Sequence, residues 1–124
     1  MVNRNISPSE SLVYGPTTDN LWNITLGALI EVQARLYADR TALVFPAQNI
    51  RRSYRDLESR SRTVSKALIE SGLNHGDRVG IFAGNCCEYI EVLLGAAAIG
   101  CPVAVLNSGY TPPEIMRAVA FSGE

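Results

Sequence analysis

His75 is the sole histidine of the chain, and Asp77 stands two residues beyond it. Any imidazole-based acid–base or Ser-His-Asp chemistry would have to be built there. The Gly-containing run Asn74-His75-Gly76-Asp77 reads more simply as a turn, with His75 an exposed bystander and Asp77 fixing the turn before a strand. Glu88 and Glu91 lie three apart, on neighbouring positions of one helix surface. Paired carboxylates can serve acid–base or metal roles, but no third ligand is visible, so a solvated helix surface is expected. Cys86, Cys87 and Cys101 show no zinc spacing, and adjacent cysteines rarely reach disulfide geometry. Three free thiols in a reducing compartment are the expectation. Gly80-Ile81-Phe82-Ala83-Gly84 follows the start of a strand and precedes a helix, where phosphate loops lie. It matches neither GxGxxG nor GxxxxGK(S/T), and the one lysine, Lys66, falls inside a helix, so a strand-ending turn is expected. No catalytic, cofactor-binding or metal-ligating residue is assigned, and no constellation carries a reaction by itself.

The elements that must position these residues follow from composition and period. With 124 residues, 47% hydrophobic and 19% charged, the chain has the make-up of one folded domain with a real core. The formal net charge of −1 argues against a basic nucleic-acid binder or attraction to anionic membranes, and 7% aromatic content argues against stacking platforms. Eight of the 11 basic residues lie between Arg35 and Lys66, but Asp39, Asp56 and Glu58 interrupt them, so a solvated, mixed-charge face is expected. The uncharged, mostly apolar stretch Val92 to Leu106 contains Gly95, Gly100 and Pro102 and is too short to span a bilayer. It reads as core, and no membrane span is expected. Met1 to Glu10 lacks the apolar core of a signal peptide.

Residues 1–22 read as a disordered or extended tail of turn-formers, and 23–124 as one α/β unit. Thr25 caps a helix from Leu26 to about Tyr37. Ala42–Phe45 and Ile50–Arg52 read as strands about a turn at Pro46–Asn49. Ser53 with Asp56 forms a capping box that opens a second helix, whose apolar face is Leu57, Ser61, Val64 and Leu68, and Gly72 stops it. Arg78–Ala83 is a strand, Cys87–Ile99 a helix with the face Ile90, Leu93, Leu94, Ala97 and Ala98, and Val103–Leu106 an uninterrupted apolar strand. These make a βαβ unit with parallel strands. Thr111, Pro112 and Glu114 start a last helix, to about Phe121. The order is α-ββ-α-β-α-β-α, a partial doubly wound sheet.

The ordered run of motifs resembles the adenylate-forming (AMP-binding) superfamily. It is carried by Thr25-Leu26 with Leu29, Ala42-Leu43-Val44, and Ser53-Tyr54-Arg55-Asp56-Leu57, then by Gly72-Leu73 and Gly76-Asp77-Arg78-Val79-Gly80-Ile81. Asn85 with Glu88-Tyr89, Leu94 through Val103, and Asn107 through Ile115 continue it. The last segment is most similar to the acyl-CoA synthetase and coumarate–CoA ligase branches. The resemblance implies the start of the family's large N-terminal α/β domain. It also implies a parent activity: ATP and Mg2+ activate a carboxylic acid to an acyl-adenylate, and the acyl group passes to CoA or a carrier thiol. AMP is a good leaving group where a carboxylate oxygen is not, so such an enzyme mainly positions reactants and stabilises phosphate charge.

The family's Ser/Thr/Gly-rich phosphate loop, its adenine and ribose motifs and its C-terminal catalytic lysine have no counterpart in these residues. Gly76, Asp77 and Tyr54 match family motif positions, with roles read as structural. The expectation is therefore a truncated N-terminal subdomain, inactive alone, with no cofactor of its own and a carboxylic acid substrate only within the full enzyme. The alternative is a stand-alone, non-catalytic interaction module built on the same scaffold, docking to a full-length relative or forming a homodimer. An intracellular location is expected, cytoplasmic rather than peroxisomal, since Ser122-Gly123-Glu124 is not a peroxisomal address.

Overall fold

The computed structural model describes Gly15 and residues 21–123. The expected tail, residues 1–22, lies outside the described residues except for Gly15, Leu21 and Trp22. Helix α1 (Leu26–Leu36) begins where Thr25 Oγ1 accepts the Ala28 N–H at 3.2 Å. Strands β1 (Thr41–Phe45) and β2 (Ile50–Ser53) form an antiparallel hairpin around a 3-10 turn at Pro46–Gln48. Asn49 takes the left-handed conformation that reverses the chain, with φ 51°.

Helix α2 (Tyr54–Glu70) opens on the expected capping box. Ser53 Oγ accepts the Asp56 N–H at 3.1 Å, and Asp56 Oδ2 accepts the Ser53 N–H at 3.0 Å. Strand β3 (Val79–Phe82), helix α3 (Cys87–Ala98) and strand β4 (Val103–Leu106) form the expected βαβ unit, with β3 and β4 parallel. Helix α4 (Pro112–Ser122) follows. The hairpin does not join the parallel pair, so the α/β order is realised as two separate two-stranded sheets.

The core gathers Ile30, Leu57, Ile81, Cys87, Ala96, Cys101 and Leu106 between the helices and the parallel strands. The most extensive helix–helix packing is between α2 and α3, and its buried faces differ from the periodic reading. On α2 the buried positions are Leu57, Ser61 and Ser65, and on α3 Cys87, Glu91, Gly95 and Ala96. Small side chains let the two backbones close: a Cβ on Gly95 would lie 2.8 Å from the Ser61 carbonyl oxygen. Larger residues such as Val64, Leu93 and Leu94 are half-buried at the margins of this seam. Gly27 of α1 plays the same part against α3, where a Cβ would sit 2.7 Å from the Ala98 Cα.

The parallel pair is only partly covered. Ile81 pairs with Val105 and Phe82 with Leu106. Paired residues on adjacent strands face the same way, while successive residues alternate. Ile81 and Leu106 are buried, yet Val105 is 60% exposed on one face and Phe82 49% exposed on the other. On α4, Phe121 is 91% exposed and no residue is buried.

Candidate functional site

The densest polar cluster forms where the hairpin meets the N-terminal half of α3. No side chain of Cys86 caps this helix. The Gln48 side chain arrives instead from the hairpin turn: its Oε1 accepts the Cys87 N–H at 2.8 Å, and its Nε2 donates to Glu88 Oε2 at 2.9 Å. That bond is the leading reason the Glu88 carboxyl is held below the usual carboxylate range.

One turn further on, Glu91 is only 7% exposed. Its Oε1 lies 3.7 Å from Arg52 Nε of β2, 3.7 Å from Arg60 Nε of α2, and 3.5 Å from the donating Cys87 Sγ. The expectation of a solvated pair therefore fails for Glu91 and holds for the exposed Glu88. Position 91 sits between Cys87 and Gly95 on the face pressed against α2, and its charge is tolerated there because two guanidiniums converge on it. Burial, followed by the bond to Glu91, pushes the Cys87 thiol up. Beside this cluster runs an open cleft of ≈ 460 Å³ lined by Asp56, Ser59, Arg60, Thr63, Val64 and Glu91.

The remaining basic residues partly follow expectation. Arg35 pairs with Glu31, Arg55 with Asp39 and Arg62 with Glu58 on the surface, while Arg52 and Arg60 turn inward to Glu91. Asp77 fixes its turn, Oδ2 accepting the Asn74 N–H at 2.6 Å. His75 is exposed, and its ring lies against Gly100, where a Cβ would come within 2.3 Å of the imidazole Cδ2. Gly100 has φ 75°, so the left-handed conformation itself demands glycine. The structure brings neither His75 nor Asp77 to Glu88 or Glu91 within hydrogen-bond or ion-pair distance. The three cysteines are free. Sequence reasoning missed Gln48, Arg52, Arg60 and Glu91 as a group; the available signal was the i, i+4, i+8 stripe Cys87, Glu91, Gly95.

Nucleotide phosphates do not fit the helix N-termini present here. At α1 the Ala28 N–H is taken by Thr25, and at α3 the Cys87 N–H is taken by Gln48. The first turns of α2, α3 and α4 carry Asp56, Glu88 and Glu114, whose negative charge opposes an anion. Among the described residues no group of three or more His, Cys, Asp and Glu could hold a metal ion. The helix N-termini and carboxylates of the described residues therefore do not fit ATP with Mg2+ or the phosphates of CoA.

The architecture resembles part of the N-terminal domains of adenylate-forming enzymes. The N-terminal domain of FACL13 from Mycobacterium tuberculosis superposes with a TM-score of 0.79 over 82% of this chain and 26% of that one, at 24% identity. The Klebsiella oxytoca NpsA N-terminal subdomain gives 0.75 over 80% and 26%, at 22% identity. The family model for AMP-binding enzymes matches residues 30–123, and the chain belongs to that family.

Among its relatives, the acyl-CoA ligase cnsG of Penicillium expansum is 42% identical over 91% of this chain and 24% of its own length. The acyl-CoA ligase sidI of Aspergillus fumigatus is 44% identical over 90% of this chain and 19% of its own. The chain thus spans about a fifth to a quarter of the curated relatives it matches. Among the described residues no helix is long and apolar enough to cross a membrane.

Proposed function

We propose that these residues are the opening scaffold of an acyl-CoA ligase, and that the 124-residue chain alone is inactive. The parent reaction would be ATP-dependent activation of a carboxylic acid to an acyl-adenylate, followed by transfer to CoA or a carrier thiol. The observation that carries this reading is the half-covered parallel pair, with Val105 uncovered on one face and Phe82 on the other. A parallel sheet is stable when both faces and both edges are covered, and the described residues leave that cover incomplete. The share of each relative that is matched supports the same reading. In it, the capping boxes, the glycine seam and the Glu91 cluster set the first strands of a larger sheet, and later residues perform the chemistry. Three unpaired thiols suit a reducing, cytoplasmic setting.

The test is ATP–pyrophosphate exchange with a panel of carboxylic acids. The purified chain is expected to give background only. Adding an Aspergillus fumigatus sidI protein that lacks its matching segment is expected to restore exchange. Exchange by the chain alone, or no restoration by the pair, overturns the proposal. The exposed Met116 and Phe121 of α4 favour a second reading, a non-catalytic interaction module. A stable homodimer, or a stoichiometric complex with an intact relative, on size-exclusion chromatography would select it.

A further inference from the structure

The β1–β2 hairpin contributes no fully buried residue between Thr41 and Ser53, although it lies against the N-terminal half of α3. Its specific attachments to α3 are polar: Gln48 to the Cys87 N–H and to Glu88, and Arg52 to Glu91. At its open end it is tied by backbone bonds, Tyr54 N–H to Arg40 O and Arg55 N–H to Ala38 O. A segment anchored at its base and held at its tip by a few polar contacts opens at lower free energy than the core. The seat is also imperfect. Arg52 Nε is buried with no hydrogen-bond partner, and at 3.7 Å from Glu91 it makes an ion pair rather than a hydrogen bond.

We propose that the β1–β2 hairpin is a strap latched onto α3 by Gln48 and Arg52, and that its release, with the rest of the fold intact, uncovers the Cys87 thiol. Cys87 is 1% exposed and lies directly beneath both latches: its N–H meets Gln48, and its Sγ meets the carboxylate that pairs with Arg52. While the strap is closed, the raised thiol stays protonated and inert. Opening removes the Gln48 contact and the Arg52–Glu91 pair together, and with them the hairpin's side of the Cys87 surroundings.

Cys101 supplies an internal reference. It is equally buried, but its Sγ donates to the Asn74 carbonyl at 3.3 Å, beyond the C-terminal end of α3 and away from the hairpin. Opening of the strap exposes Cys87 alone, whereas global unfolding exposes both thiols.

The experiment is alkylation of the 124-residue chain by iodoacetamide under native conditions, with each cysteine followed by fragment mass spectrometry. Gln48→Ala and Arg52→Met are each expected to speed labelling of Cys87 by about tenfold to a hundredfold. Cys101 should stay within about twofold of its original rate, because its exposure follows the global equilibrium. A parallel rise at both thiols, or an unchanged Cys87 in both variants, overturns the strap. The unsubstituted chain gives a second readout, in which labelling of Cys87 should depend less steeply on low urea than labelling of Cys101. Equal slopes would mean that both thiols open only with the whole fold.

Discussion

Replacing Gly95 with alanine sets two opposing effects against each other at the tightest point of the fold. Alanine is the better helix former, by about 1 kcal/mol. Against this, the added methyl would stand 2.8 Å from the Ser61 carbonyl oxygen and 2.9 Å from both Cβ and Cγ1 of Val64. Backbone oxygen has no rotamer by which to retreat, so the helices must separate, and overpacking of this kind costs about 1–3 kcal/mol. Separation also strains the bond from Ser65 Oγ to the Gly95 carbonyl, 2.8 Å long and buried. That carbonyl depends on Ser65, because its usual partner, the Ile99 N–H, bonds Ala96 O instead. Weakening a buried hydrogen bond adds about 1 kcal/mol. The net expectation is a loss of about 2 kcal/mol, which lowers the urea midpoint by about 1–2 M for a chain of this size. Far-UV circular dichroism through a urea titration reads it directly. An unchanged or higher midpoint for Gly95→Ala would show that the α2–α3 seam gives way freely, and the close-packing argument would be wrong.

Ser53→Ala removes the cap of α2 and should cost about 1 kcal/mol, visible as a lower midpoint in the same titration; no change would mean that Asp56 holds the helix start unaided. Acid should destabilise the fold. Asp56, Glu88 and Glu114 are held below their ordinary range, chiefly by bonds from Ser53, Gln48 and Thr111 respectively. A lowered folded-state pKa adds stability that is complete above the unfolded value, about pH 5 and higher, and is lost as pH falls through the folded value. The thermal midpoint should therefore be level from neutrality to about pH 5 and fall steadily below it; a rise on acidification would refute the three assignments. Gly27→Ala should lower the midpoint as Gly95→Ala does, since its Cβ would press on the Ala98 Cα of α3.

Local signals made most of the element order legible. Ser53-x-x-Asp56 and Thr111-Pro112 announce helix starts by residues that meet their own backbone, and the structure places α2 and α4 there. Gly72 and Gly100 end segments with positive φ, as their position after helical runs implies. What periodicity concealed is the face of α3. That helix is packed by α1 and α2 and touches β4, so it has no clean apolar stripe, and closeness of approach decides burial. Closeness favours Gly95 and Ala96 over Leu93 and Leu94, which a hydrophobic count ranks higher. Glu91 was illegible for a related reason. A carboxylate is buried only if partners from distant segments arrive, and Arg52 and Arg60 lie on other elements. Gln48 capping an α3 N–H across the fold has no local signature at all.

The arrangement of the strands also bears on the order of events as the chain is made. The hairpin closes over residues 46–49, and β3 meets β4 across the single crossover formed by 83–102, so every strand pairs with one sequence neighbour. The hairpin loses little loop entropy before its contacts form, whereas the parallel pair must first close its longer crossover. The hairpin can thus form early, while ribosomal synthesis of the rest of the chain continues.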